Sequence, residues 1–133
     1  MIGSQILSTP IQHHINIERM RILVEYCFKI KNKKWTMKQA PTGDEHLIMN
    51  GEPCIAQLYK QVRVIYFDEN LLNDYAELRE TVVHELTHAF IMTYAISPRQ
   101  FRDEEFICEF NAVYGKDIQD LTEEILEYIY DKN

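Results

Sequence analysis

The sequence has few cysteines, no long apolar run and no basic leader, and each shortage excludes a class of protein. Its three cysteines, Cys27, Cys54 and Cys108, are odd in number and widely spaced, unlike the disulfide framework of a small secreted domain. No stretch approaches the roughly eighteen apolar residues of a membrane span, and the first residues lack the regions of a signal peptide. We therefore expect a soluble, cytoplasmic protein with no membrane partner.

Basic residues are scarce overall, since the formal net charge is −7. The deficit argues against nucleic-acid binding, because a phosphate-rich partner requires an excess of Lys and Arg. The charge is uneven: residues 1–66 carry nine basic and five acidic residues, whereas residues 67–133 carry five and sixteen. The one basic stretch could suit nucleic acid or a solvated helix end, and we favour the solvated helix end. It contains Lys29, Lys31, Lys33, Lys34 and Lys38, with Trp35 among them.

A length of 133 residues with 46% hydrophobic content suits a single domain, residues 1–133, with a substantial core. Apolar residues at helical spacing predict four amphipathic helices, and alternation and turn signals predict two short β regions. The helices are predicted at residues 17–31, 75–94, 103–115 and 117–130, and the strands at 47–49 and within 54–67. Gly115 is the predicted stop of the third helix. This order of elements indicates an α+β domain.

The most informative motif is H-E-x-x-H, formed by His84, Glu85 and His88 on the second predicted helix. Histidines four residues apart project from one helix face, so both imidazoles can reach one zinc ion at about 2.0–2.1 Å. Glu85 lies about 100° of helix rotation from His84, so its carboxylate can act as a base beside an open coordination position. Coincidence is the alternative interpretation, but the capping-box-like Asp74 and Glu77 favour a true helix start.

A catalytic zinc ion usually takes a third protein ligand. The longer motif H-E-x-x-H-x-x-G-x-x-H is absent, and no histidine follows His88. The acidic start of the third helix is the best source, because Glu105 could bind zinc while Glu109, on the same face, accepts the free N–H of a ligand imidazole. Glu104 is the main rival as third ligand, and Cys108 is interpreted as a core residue.

Two further pairs of residues are weaker candidates for the site. His13 and His14 are adjacent, so on regular structure their imidazoles point apart and do not share one metal ion. Tyr94 and Tyr114 lie near the predicted metal-binding helices in sequence, so either could donate a hydrogen bond to the oxyanion of a reacting peptide. Packing is the commoner role of a tyrosine near a helix end.

The H-E-x-x-H motif and the later run Glu105-Phe-Ile-Cys108-Glu109-Phe110-Asn111-Ala112 resemble the gluzincin-type metallopeptidases. They are most similar to the ImmA/IrrE family, small proteins of phages and other mobile elements in which H-E-x-x-H is followed by E-x-x-A-[ND]-x-[FY]-A. The resemblance covers about residues 62–115. It departs from the family pattern at Cys108, Glu109 and Asn111.

The resemblance implies a zincin-like fold, in which a small mixed sheet packs on an active-site helix and is followed by a third-ligand helix and a C-terminal helix. It also implies zinc-dependent peptide hydrolysis, with His84, His88 and Glu105 as ligands and Glu85 as the general base. Members of the family that lie near mobile elements can cleave a repressor protein.

We therefore predict a small zinc metallopeptidase, encoded by a phage or mobile element, that acts on a protein or peptide. An unrestrained protease would endanger its own cell, so we expect dependence on an activator or a substrate-delivering protein. The alternative is a zinc-containing module that binds a host or phage protein without catalysis. The presence of Glu85 argues against this alternative, because a purely structural zinc site does not need that carboxylate. In either case, the strand before the zinc helix could pair with an extended peptide.

Overall fold

The computed structural model describes residues 23–132 as an α+β arrangement, which confirms the predicted class. The strands are β1 (Glu25–Ile30), β2 (Lys33–Ala40), β3 (Ile48–Met49), β4 (Glu52–Pro53), β5 (Ala56–Tyr59) and β6 (Val64–Asp68). The helices are α1 (Tyr75–Thr93) and α2 (Glu104–Lys132), and short 3₁₀ segments occur at Glu45–Leu47, Glu69–Asn73 and Pro98–Arg102. None of the described helices is both long and apolar enough to cross a membrane.

Four of the strands form a small mixed sheet, which is the sheet type that was predicted. Their order is β1-β2-β6-β5, and β3 and β4 form a separate two-stranded pair. β2 and β6 run parallel, whereas β1 with β2 and β5 with β6 run antiparallel. β6 is therefore an interior strand, and β5 is an edge strand that contacts α1.

Helix α1 packs on the sheet through the apolar stripe that its sequence predicts. The buried members of this stripe are Leu78, Val82, Leu86, Ala89 and Phe90. The sheet contributes Trp35 and Met37 of β2 and Ile65 and Phe67 of β6, which alternate with more exposed residues along each strand. The helix begins as predicted, because the Asp74 carboxylate accepts a hydrogen bond from the Glu77 N–H at 3.1 Å.

The helix predicted at residues 17–31 is wrong over its second half, because residues 25–30 form β1. β1 and β2 make a hairpin whose two turn residues, Lys31 (φ 50°) and Asn32 (φ 66°), have the positive φ that tight hairpin turns require. Phe28 and Ile30 fit a strand as well as a helix, and pairing with β2 buries both. The five lysines thus lie on a hairpin and not at a helix end. Residues 17–22 lie outside the described part of the chain.

The predicted stop at Gly115 is also wrong, because α2 continues without a break from Glu104 to Lys132. The third-ligand helix and the C-terminal helix of the prediction are one helix. A single buried stripe crosses Gly115 and includes Phe110, Ile118, Ile125, Leu126 and Ile129, so packing favours continuity. Nothing lies within 4 Å of the position that a Cβ atom would take at Gly115.

The two predicted β regions, at residues 47–49 and 54–67, are strands in the structure, but with different bounds. Asn50 (φ 53°) and Gly51 (φ 81°) turn the chain between β3 and β4, as the turn signal predicted. Leu47 belongs to a 3₁₀ segment and not to a strand. The region 54–67 forms two strands, β5 and β6, which is one of the two outcomes that alternation allowed.

We expect Gly115→Ala to stabilise the chain by about 0.5–1 kcal/mol, because alanine loses less backbone freedom in a helix interior and meets open space. Gly51→Ala is the matched control and should destabilise by about 1–2 kcal/mol, since φ +81° is unfavourable for a residue with a Cβ atom. Urea denaturation followed by circular dichroism measures both changes. A loss of stability in Gly115→Ala would contradict a continuous α2.

Candidate functional site

His84 and His88 project together from the exposed face of α1, as their spacing predicted. Their ring centroids are 4.8 Å apart with an interplanar angle of 76°, and both residues are exposed. The α-helix imposes this proximity, because residues four apart are neighbours on its surface. Two imidazoles at this separation can bind one zinc ion from the same side.

Glu85 occupies a different environment from the two histidines. It lies on the same stripe as Leu78, Val82 and Ala89 and is only 9% exposed. Its carboxylate accepts no hydrogen bond from a residue of the described chain, and the protein does not fully enclose its oxygen atoms. Burial raises the pKa of the Glu85 carboxyl above its usual value, and the nearby imidazoles of His84 and His88 oppose that shift.

A cavity of about 590 Å³ separates this part of α1 from the sheet edge at β5. We call it the cleft. Seven α1 residues line one side of the cleft, including both histidines and Glu85. Met49 and residues 54–58, which include most of β5, line the other side. The lining residues are Met49, Cys54, Ile55, Ala56, Gln57, Leu58, Glu77, Glu80, Thr81, His84, Glu85, His88 and Met92. The sequence analysis did not assign Glu77, Glu80 or Thr81 to the site. These residues precede His84 by seven, four and three positions, so helical spacing already placed them on the same side of α1.

The open edge of β5 borders the cleft. The Asp68 N–H donates to the Ile55 carbonyl at 2.8 Å, so in the antiparallel register with β6 the next residue, Ala56, forms a non-hydrogen-bonded pair. The backbone groups of Ala56 and Leu58 therefore point away from β6. The sequence prediction placed a free edge on the strand directly before α1, but that strand is β6, which is interior. The free edge belongs to β5.

The predicted third ligand does not join the two histidines. Glu105 is exposed in the first turn of α2, and its N–H donates to the Asp103 carboxylate at 3.0 Å, so Asp103 caps the helix. Residues 23–132 contain no group of three His, Cys, Asp or Glu side chains that could hold a metal ion. The imidazole pair and the unpaired Glu85 therefore suit zinc, but the ligand set is incomplete.

The other residues near Glu105 do not complete the set either. Glu104 and Glu109 are exposed, and Cys108 is exposed as well, so its interpretation as a core residue is wrong. An aromatic group holds this end of α2: the Phe101 ring lies 5.0 Å from Phe106 and 5.2 Å from Phe110. His13 and His14 lie outside the described residues.

The two candidate oxyanion donors have packing roles. The Tyr94 and Tyr114 rings are 4.8 Å apart, and each lies within about 6 Å of Phe90. Lys31 of the hairpin lies over the Tyr94 ring at 5.1 Å. Neither tyrosine lines the cleft.

No protein-family model matches the chain, and no curated protein or solved structure is similar enough to it to indicate a relationship. The resemblance to the gluzincins therefore rests on the motif residues alone and stays a prediction.

We expect Glu85→Gln to be more stable than the original chain at about pH 8, with an advantage that shrinks toward pH 4. Burial raises the pKa of Glu85 in the folded state above its unfolded value, so the folded state binds the proton more tightly. The stability that Glu85 contributes through this proton is fully present below the pKa of the unfolded state and is lost as the pH rises through the pKa of the folded state. Gln carries no charge at any pH, so its advantage over Glu85 appears only at the higher pH.

Urea titrations of chelator-treated protein across this pH range measure the effect, and the exposed Glu109→Gln serves as the control. A stability difference between Glu85→Gln and the original chain that stays constant with pH would contradict a buried carboxylate with a raised pKa.

Proposed function

We propose that the protein is a zinc-dependent peptidase in which His84 and His88 bind the metal and Glu85 is the general base. The observation that carries the proposal is Glu85, a largely buried residue whose carboxylate has no hydrogen-bond partner among the described residues and lines the same cleft as two exposed imidazoles. An apolar residue would be more stable at this position of the α1 stripe, since burying an unpaired carboxyl costs free energy. A catalytic role explains why the chain places a carboxylate there.

Zinc, when bound, supplies a Lewis acid that polarises the scissile carbonyl and lowers the pKa of water. Glu85 removes a proton from the attacking water and later delivers it to the leaving amine. Glu85 is placed for both transfers, because it is adjacent to His84 on the helix and lines the same cleft as both histidines.

The open edge of β5 is the proposed binding site for the substrate backbone. The outward backbone groups of Ala56 and Leu58 can pair with an extended peptide as an added strand. Such a strand would lie in the cleft between β5 and α1, over His84, Glu85 and His88. A protein or peptide is therefore the proposed substrate class.

Glu105 is the proposed third ligand. Because the structure does not group it with the histidines, its binding requires the first turn of α2 to approach α1 when zinc binds. An incomplete ligand set before activation fits the proposed dependence on an activator or substrate-delivering protein. It equally fits the second candidate function, a zinc-containing module that holds a host or phage protein along β5 without cleaving it.

We expect about one zinc ion per chain in protein purified without chelator, as measured by elemental analysis. His84→Ala and His88→Ala should each lose most of this zinc, because each removes a first ligand. Glu105→Ala should reduce it, and Glu104→Ala, next to it on the same turn, should not. No zinc in the unmutated chain would contradict the metal site, and equal zinc in Glu105→Ala and Glu104→Ala would exclude Glu105 as a ligand.

Glu85→Gln should retain zinc but lose peptide hydrolysis by about 10²- to 10⁴-fold, the usual contribution of a general base. Cleavage of a mixed peptide library, followed by mass spectrometry, measures the loss. Full activity in a zinc-loaded Glu85→Gln protein would refute the assigned role. Zinc binding and peptide binding without any hydrolysis by the unmutated chain would support the binding module.

A further inference from the structure

The cleft is acidic on the side of α1 that precedes the histidines. Glu77 and Glu80 are exposed, line the cleft, and form no ion pair with a residue in the described part of the chain. Arg79 lies between them in sequence but projects toward α2, where it forms an ion pair with Glu123 and donates a hydrogen bond to Gln119 at 3.1 Å. The two carboxylates are therefore left unneutralised at the cleft.

Thr81 adds an independent sign of a ligand at the same place. It is 8% exposed and lines the cleft, yet its hydroxyl has no hydrogen-bond partner among residues 23–132. Two other helical threonines, Thr87 and Thr122, each donate to the backbone carbonyl four residues earlier at 2.7 Å. The Thr81 hydroxyl thus lacks the bond to the helix backbone that Thr87 and Thr122 make, and it is open to a group in the cleft.

We propose that Glu77, Glu80 and Thr81 form a subsite for a cationic side chain, Lys or Arg, of a peptide bound along β5. The use of this subsite in cleavage rests on the proposed peptidase function, but the binding preference does not. Lys and Arg carry only hydrogen-bond donors, which complement two carboxylates and a hydroxyl that can also accept.

Helix geometry limits where the cationic residue lies in the peptide. Glu80 and Glu77 precede the midpoint of the histidine pair by six and nine residues, or about 9 and 13 Å along α1. An extended peptide advances about 3.3 Å per residue. For a peptide that runs parallel to α1, the basic residue should therefore lie about three or four residues from the scissile bond. Met49 and Ile55, exposed apolar residues on the opposite wall, favour apolar neighbours in the peptide.

The expected preference is moderate because both carboxylates are solvent-exposed. A single exposed ion pair changes affinity by roughly 1.4- to 5-fold. Two carboxylates together should favour Lys over Gln by about five- to tenfold at low salt, and by less at high salt, since ions screen exposed charges.

The test uses pools of N-acetylated, C-amidated, fluorescein-labelled dodecapeptides, each with either Lys or Gln fixed at one position and a mixture elsewhere. Acetylation removes the α-amino group, so only a side-chain cation remains. Fluorescence anisotropy gives the affinities for Glu85→Gln protein, which does not consume the peptides. The same protein carrying Glu77→Gln and Glu80→Gln, or Thr81→Val, tests the subsite, and the exposed α2 substitution Asp117→Asn controls for loss of a negative charge elsewhere.

The proposal expects tighter binding of Lys pools than Gln pools at one or two positions. The preference should fall to about twofold or less in the Glu77→Gln, Glu80→Gln protein, decrease in Thr81→Val, and persist in Asp117→Asn. Equal binding of Lys and Gln pools, or a preference that survives loss of both carboxylates, would overturn the subsite. A preference seen only with unacetylated peptides would assign the cation to the peptide amino terminus and would also overturn it.

The two proposals fail separately in this design. Cleavage of the pools by protein with Glu85 intact, without any preference for Lys, would leave the peptidase standing and remove the subsite. Binding with the preference for Lys but no cleavage by protein that holds zinc on all three proposed ligands would leave the subsite standing and remove the peptidase. The absence of both binding and cleavage would overturn both.

Discussion

The burial of one face of α1 against the sheet is the constraint on which the rest of the site depends. Four buried residues fix the rotation of the helix about its axis, since each is no more than 1% exposed. They are Leu78, Val82, Leu86 and Ala89. That rotation directs His84 and His88 outward and leaves Glu85 on the buried side of the cleft. A rotation by one residue in one direction would bury both imidazoles, and in the other direction it would expose the carboxylate. The core therefore sets which of these side chains face the cleft and how exposed they are.

The electrostatics of the cleft follow from this placement. Glu85 is removed from water, so its pKa rises, whereas Glu77 and Glu80, one to two turns earlier, stay exposed and unpaired with the described residues. Burial thus distinguishes Glu85 from the two exposed carboxylates of the same helix. Arg79 does not compensate them because α2 binds its guanidinium. The ion pair that links the helices thereby also maintains the negative charge of the cleft.

The positions of the histidine pair and of Glu105, the proposed third ligand, depend on different physical conditions. His84 and His88 belong to one rigid helix, so local hydrogen bonding alone sets their separation. Glu105 belongs to α2, whose position depends on the aromatic contacts of Phe101, Phe106 and Phe110. A ligand on a second element is available only if tertiary packing places it, and here the packing leaves Glu105 exposed. This division explains why the two histidines lie together while Glu105 lies apart from them.

The sequence by itself determined α1, its cap at Asp74, its buried stripe and the convergence of His84 and His88, because each depends on residues within a few positions of one another. It did not determine β1, where Phe28 and Ile30 suit two periodicities and only pairing with β2 selects the strand. It did not determine the path of α2 through Gly115, where burial on both sides outweighs the weak local preference to stop. Tertiary structure alone decided that the open edge is β5, that Glu85 is unpaired among the described residues, and that Glu105 is apart from the histidines. Each of these depends on contacts between segments that are distant in sequence, for which local patterns carry no information.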